Sequence, residues 1–424
     1  MVRYHLTRTS AAAIVLACSL CMPWDSAHAD GPRGFRHVVI DAQGVHAHVI
    51  APAPLQSART DRGRETATTR ATTKALATNQ LARFEPAKFG DALHAALKDQ
   101  VIGYVMQLRQ HGTPIQTRVW NWAHTPADGG SGWGLDMRMH VASVSKVITA
   151  IAMTKALATM NIDPGTPISG YLPRYWAQGY DVNKVTFANL LTHTSGFYTG
   201  QSASDYETMR RVVATSDNDV GTYHYENLNF GLCRILIPSV LGWDDQTATT
   251  YNPPSELDQL WDYVTVQQYE GYVQDSVFTP SGVSDASLEH RTSDALAYLA
   301  GDTGKGVNWG DLTTMSGGAG WHLTLNDLLA VMGTFRRSGR IMTSQQAQAM
   351  LDASFGIDWI DDTPLGKMYS KNGRFSDGGN HTEQSLVIFL PQDMELAMFV
   401  NSPVGGQDTF LYTLVRNTVL ASID

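Results

Sequence analysis

A serine and a lysine three positions apart, Ser143 and Lys146, lead into a nearly continuous apolar run from Val147 to Leu157. The run predicts a buried helix, and on a helix positions i and i+3 share a face. A serine near a helix N-terminus meets the positive end of the dipole, which favours an alkoxide-like charge. A lysine withdrawn from water loses affinity for its proton and can act as a base near neutral pH. The pair could therefore carry nucleophilic acyl transfer. A lone Ser-x-x-Lys is weak by itself, because Ser143 could cap the helix while Lys146 reaches the surface.

Further segments add to it. Tyr225-Glu226-Asn227 directs its two outer side chains the same way in an extended stretch. Residues 186–197 read Thr-Phe-Ala-Asn-Leu-Leu-Thr-His-Thr-Ser-Gly-Phe, and Lys371-Asn372-Gly373 lies upstream of the last strands. This ordered set resembles the serine β-lactamase-related, penicillin-binding-protein-like serine hydrolase family. That family includes class C β-lactamases, D-alanyl-D-alanine carboxypeptidases, D-aminopeptidases and esterases. The resemblance spans about residues 88–420, and Phe278-Thr279-Pro280-Ser281-Gly282-Val283 resembles the family's Phe-x-Pro-Leu-Gly-Met turn.

The resemblance implies roles. Ser143 attacks a carbonyl, and Lys146 accepts its proton, alone or with the Tyr225 phenolate. Tyr225 passes a proton to the leaving group. Asn227 binds substrate and steadies Lys146. Lys371 supplies positive charge to Tyr225 and to an anionic substrate. The backbone N–H groups of Ser143 and Arg374 form the oxyanion hole. No metal or cofactor is implied.

The third motif departs from the family pattern, since Asn372 stands where a hydroxyl residue is usual. An ungapped count back from Pro391 would place Ser376-Asp377-Gly378 there instead. Lys371 is the stronger register because only it brings a cation; Gly378-Gly379-Asn380-His381 then forms a bulge or insertion. His193 is read as ordering its loop, and His381 as a surface residue. Trp120, Trp122 and Trp133 are read as packing residues. Ser316-Gly317-Gly318-Ala319-Gly320 lacks the Lys-Ser/Thr of a phosphate loop. No Gly-x-Ser-x-Gly elbow or His-Glu-x-x-His helix is present.

These residues need a frame. Pro86–Gln100 has helical spacing at Phe89, Leu93 and Leu97. Residues 101–108 and 115–122 read as strands about a His111-Gly112 turn. Residues 385–390 and 396–401 form a second hairpin around Pro391-Gln392-Asp393, and residues 408–422 a closing amphipathic helix. Hairpins at both ends with helices between predict an α+β fold: an antiparallel sheet flanked by helices, with a mostly helical region inserted at about 181–299. The resemblance implies the β-lactamase/transpeptidase-like version of it, over 84–424.

The chain of 424 residues, 43% hydrophobic and 17% charged, can bury a large core. Its net charge of −9 is uneven: residues 1–29 carry +1, 30–83 carry +4, and 84–424 therefore −14. An acidic body argues against nucleic acid as partner. Residues 1–29 read as a secretory signal, with Arg3 and Arg8, an apolar run from Ala11 to Leu20, and Ala27-His28-Ala29 for cleavage. The run is too short for a mature membrane span, and a lipid-anchored start at Cys18 is the alternative. Cleavage leaves only Cys233, so no intrachain disulfide forms. Residues 30–83 are read as a flexible segment and linker: residues 51–80 hold almost no large apolar side chains, and Val38–Ile50 is a surface strand or disordered. His46 and His48 lack a third metal ligand. The expectation is an exported, periplasmic or secreted serine hydrolase acting on a small-molecule or peptide substrate. Three functions stay open: an esterase or amide hydrolase, a D,D-peptidase or β-lactamase, and a binding protein that kept the fold.

Overall fold

The computed structural model describes residues 35–41, 44–50, 82–198, 204–215, 219–243, 254–404 and 411–424. The signal and linker readings on 1–29 and 51–80 lie outside the described residues. A short hairpin, β1 (Phe35–Asp41) with β2 (Gly44–Ile50), precedes the body.

Seven antiparallel strands form the central sheet. In chain order they are β3 (Gly103–Gln110), β4 (Thr113–His124), β5 (Ser131–Gly132), β8 (Trp359–Thr363), β9 (Gly366–Ser376), β10 (Thr382–Leu390) and β11 (Met394–Val400). Their spatial order is β5-β4-β3-β11-β10-β9-β8. The β3–β4 turn has positive φ at His111 and Gly112, which suits a tight hairpin with the twist of its strands. The first hairpin joins the last strands through β3 and β11, with Val105 opposite Phe399.

Both sheet faces are covered. Tyr104, Met106, Leu386, Ile388, Leu396 and Met398 pack on helices α1 (Pro86–Leu97) and α9 (Leu411–Ala421) at the chain ends. Their alternates Val105, Val387, Phe389, Ala397 and Phe399 join a larger core on the other face. Double coverage makes β10 buried along its whole length, so its second half, Leu386–Leu390, reads as a continuous apolar run rather than an alternation.

The larger core is helical: α2 (Ser145–Thr159), α3 (Phe187–Leu191), α4 (Tyr206–Thr215), α5 (Asn227–Val240), α6 (Pro254–Val273), α7 (Leu325–Gly333) and α8 (Ser344–Asp352). A two-residue ladder, β6 (Met139–His140) with β7 (His322–Leu323), ties the start of this region to its end. The Phe278–Val283 segment turns at Gly282, whose φ of 77° is a conformation glycine adopts without strain.

Candidate active site

Ser143 does not lie in α2 but in the 3-10 turn before it, Ala142–Val144. Ala142 has a φ of 45°, a left-handed conformation that is uncommon and costly for alanine. The turn is clamped from two sides. The Val141 N–H donates to the Trp321 carbonyl at 2.8 Å, and the Ser385 hydroxyl donates to the Val141 carbonyl at 2.6 Å. No side-chain cap closes the start of α2, so Ser143 is not serving as a helix cap.

Lys146 falls in the first turn of α2 and is fully buried, so it does not reach for solvent. Its Nζ donates to Ser143 Oγ at 3.1 Å, Asn227 Oδ1 at 2.7 Å and the Gly318 carbonyl at 2.7 Å. Its pKa is lowered to about 8, chiefly by burial, with the Tyr225 oxygen opposing the shift and the Lys371 ammonium adding to it. The Ser316–Gly320 segment is therefore a lid over the lysine. Gly317 approaches so closely that a Cβ there would lie 2.2 Å from the Phe230 carbonyl.

Tyr225 and Asn227 sit at the entry to α5: Glu226, the residue before the helix, is extended, and Asn227 is the first helical residue. Tyr225 as a residue is 43% exposed, but its hydroxyl end is enclosed among charged groups. Burial alone would raise the phenol's pKa; the Lys146 and Lys371 ammoniums outweigh it and leave it below the ordinary tyrosine value.

The Thr186–Phe197 segment supports this stretch. Thr186 and Asn189 form a reciprocal cap on α3, and the Ser195 hydroxyl donates to Asn229 Oδ1 at 2.6 Å. His193 Nδ1 accepts the Glu226 N–H at 3.2 Å, and its ring lies 4.3 Å from that of Tyr225. Burial and the two nearby ammoniums push its pKa well down, so it stands neutral as a prop.

Lys371 reaches in from β9. Its Nζ is 3.3 Å from Tyr225 Oη and 2.5 Å from Asp358 Oδ1. Burial opposes its charge, but the Tyr225 and Asp358 oxygens outweigh burial and hold its pKa above the ordinary lysine value. The other Asp358 oxygen accepts the Asn372 N–H at 3.2 Å. Asp358 is a site residue that the sequence reading missed. In the alternative register, Asp377 is tied to its own turn through the Gly379 and His381 N–H groups.

Gly373 explains why β9 can lie against the Ser143 turn. A Cβ there would fall 2.2 Å from Ser385 Oγ, 2.5 Å from the Val141 carbonyl and 3.2 Å from the Ser143 nitrogen. The result is a cleft of about 500 Å³ lined by Ser143, Tyr225, Asn227, Asp205, Arg374 and Ser376, among others. A larger hollow, about 640 Å³ around Arg336, Lys367 and Asp393, has no serine, threonine or cysteine in its lining. The structure thus brings Ser143, Lys146, Tyr225, Asn227 and Lys371 into one cluster, with Arg374 on the cleft wall. A hydroxyl 3.1 Å from a buried amine, with an adjacent acidified phenol, can undergo deprotonation and attack an electrophile.

The fold and this cluster define a penicillin-binding-type serine hydrolase architecture. The Beta-lactamase family model matches residues 75–420, and the chain belongs to that family of serine hydrolases. Among solved structures it is similar to a β-lactamase/D-alanine carboxypeptidase from Pseudomonas syringae, at 14% identity, covering 79% of this chain and 98% of that one, with a TM-score of 0.59. A D-stereospecific amidohydrolase from Streptomyces aligns at 20% identity over 79% and 98%, TM-score 0.56. The octameric penicillin-binding protein homologue from Pyrococcus abyssi aligns at 15% over 75% and 73%, TM-score 0.57. A comparison with curated proteins finds no match.

Proposed function

We propose that the chain is an exported serine hydrolase that cleaves an ester or amide through an acyl-enzyme on Ser143. The observation that carries this is the fully buried Lys146 amine, 3.1 Å from Ser143 Oγ, with its pKa lowered to about 8. The neutral amine takes the Ser143 proton as Oγ bonds to the carbonyl carbon. The tetrahedral oxyanion is met by the backbone N–H groups of Ser143 and Arg374; one such donor is typically worth about 3–4 kcal/mol. Collapse expels the alcohol or amine, which takes a proton relayed through Tyr225. Water then attacks the acyl carbon, gives its proton back along the same path, and releases acid and free serine. Asn227 and the Gly318 carbonyl fix the lysine's direction. Lys371, neutralised by Asp358, holds the Tyr225 phenol acidic.

Asn372 is buried and is not among the cleft-lining residues, whereas Arg374 and Ser376 are. An anionic substrate would meet the Arg374 side chain, which keeps cell-wall peptides and β-lactams as a second reading. Export rests on the first 29 residues; among the described residues no helix is long and apolar enough to cross a membrane.

The test is incubation of the purified protein with p-nitrophenyl esters, a fluorescent penicillin and D-Ala-D-Ala peptides, followed by intact-mass analysis. An adduct or turnover with esters supports the first reading, and one confined to penicillin or peptide supports the second. No adduct and no turnover with any of them, or full turnover by Ser143→Ala, overturns the mechanism.

A further inference from the structure

Behind the cleft wall lies a second cluster that the chemistry above does not use. His290, Asp294 and His322 each offer a donor atom within 4.8 Å of the others'. Three separate pieces of backbone hold them. His322 lies in β7, paired with His140 of β6 and bridged to Ser287. The His290 N–H donates to the Gly310 carbonyl at 3.1 Å. The Asp294 N–H donates to Arg291, and the next residue, Ala295, donates to the Arg138 carbonyl at 2.8 Å.

The hydrogen bonds leave unused the atoms that an ion needs. His322 Nδ1 lies 3.0 Å from the Gly320 carbonyl, which can only accept, so Nδ1 carries the proton and Nε2 keeps its lone pair. That Nε2 is buried and has no hydrogen-bond partner. Asp294 Oδ2 accepts from Arg138 at 3.0 Å and from the Arg291 N–H at 2.9 Å, while its buried Oδ1 has no partner. Both residues are fully buried, and an unpaired buried acceptor costs about 1–3 kcal/mol. A histidine whose second nitrogen is fixed by a backbone carbonyl is the usual form of a metal-bound imidazole. His140 offers no lone pair to such an ion, because its Nε2 accepts the Gly320 N–H at 3.3 Å and the ring proton is then on Nδ1.

We propose that His290, Asp294 and His322 form a binding site for a divalent transition ion of the Zn²⁺ type, with water as fourth ligand. Two imidazoles and a carboxylate suit such an ion better than Ca²⁺ or Mg²⁺. Tetrahedral Zn²⁺ holds its donors about 3.3–3.5 Å apart, so closure needs a movement on the order of 1 Å. His290 can make it, being only half-buried, and its exposed side admits the ion. Arg138 stays on Oδ2. The ion would staple the 290–294 turn to β7. Through Gly320 it lies two residues from the carbonyl that holds Lys146.

The test uses the full chain, without an added histidine tag, dialysed against Zn²⁺ alone. Metal content, Tm and the visible spectrum of the Co²⁺-substituted protein are read for wild type, His290→Ala and Ser143→Ala. One tightly held ion per chain, a metal-dependent rise in Tm and tetrahedral Co²⁺ bands are expected in wild type and Ser143→Ala, and their loss in His290→Ala. His290 is half-exposed, so this variant should fold. Wild-type protein that takes up no ion, or a His290→Ala protein that keeps its ion and its Tm rise, overturns the site.

Discussion

Replacing Lys146 by methionine removes the amine and keeps most of the side chain's length. The amine sits 3.1 Å from Ser143 Oγ with its pKa lowered to about 8, chiefly by burial. At pH 7 an amine of pKa about 8 is neutral in roughly one molecule in eleven, against about one in 2,500 for a free lysine near 10.4. The fold thus enriches the neutral amine roughly 200-fold. Removing it should cost about 10²–10⁴ in kcat/KM, or about 2.7–5.4 kcal/mol of barrier. Asn227 Oδ1 and the Gly318 carbonyl each lose a donor, at about 1–3 kcal/mol, offset in part by no longer burying an ammonium. The assay is ester turnover across pH, with circular dichroism and thermal melting of each variant. Wild-type activity should rise with pH through about 8 and then level, because only the neutral amine has a lone pair to accept the proton. Ser143→Ala combined with Lys146→Met should be hardly worse than either alone, since the two act as one unit. A folded Lys146→Met protein with wild-type turnover would refute the reasoning and leave Lys146 a structural strut.

Three further outcomes are expected. Gly373→Ala should leave the circular dichroism spectrum intact but cut turnover about 10²-fold, because a Cβ 2.5 Å from the Val141 carbonyl pushes β9 off the Ser143 turn; unchanged turnover would contradict that packing. Asp358→Asn strips the counter-ion from the buried Lys371 ammonium and should lower unfolding stability in urea by about 3–5 kcal/mol. N-terminal sequencing of exported protein should begin at Asp30; retention of Met1, or a lipid-modified start at Cys18, would show the export signal to be of another kind.

Much of the site is legible because its parts are local. Ser143 with Lys146, and Tyr225 with Asn227, are short-range pairs whose spacing survives any fold. The β10–β11 hairpin is legible from two apolar runs about a turn. Asp358 carries no such mark. It reaches Lys371 from 13 positions away, across β8, whose Trp-Ile-Asp-Asp-Thr sequence reads poorly as a strand because an edge strand is half-exposed and tolerates charge. The Gly318 carbonyl is a backbone group, so residue type does not announce it. The left-handed φ of Ala142 is imposed by the clamp of Trp321 and Ser385 on Val141, both distant in sequence. The histidine cluster was hidden for the same reason: His290 and Asp294 meet His322 only once β6 and β7 pair.

The pairing of β3 with β11 has a consequence for how the chain comes to be folded. Val105 waits for Phe399, 294 positions on. At synthesis rates of roughly 5–20 residues per second that partner appears about 15–60 s after β3 itself. Through that interval the edge of β3 and the apolar faces of the first hairpin have no mate, and contacts of such long range form slowly. The central sheet can close only after the last strands have emerged, so the nascent chain passes through a prolonged stage in which it is open to holding factors and to self-association. A chain of this topology is suited to being kept unfolded until it is whole.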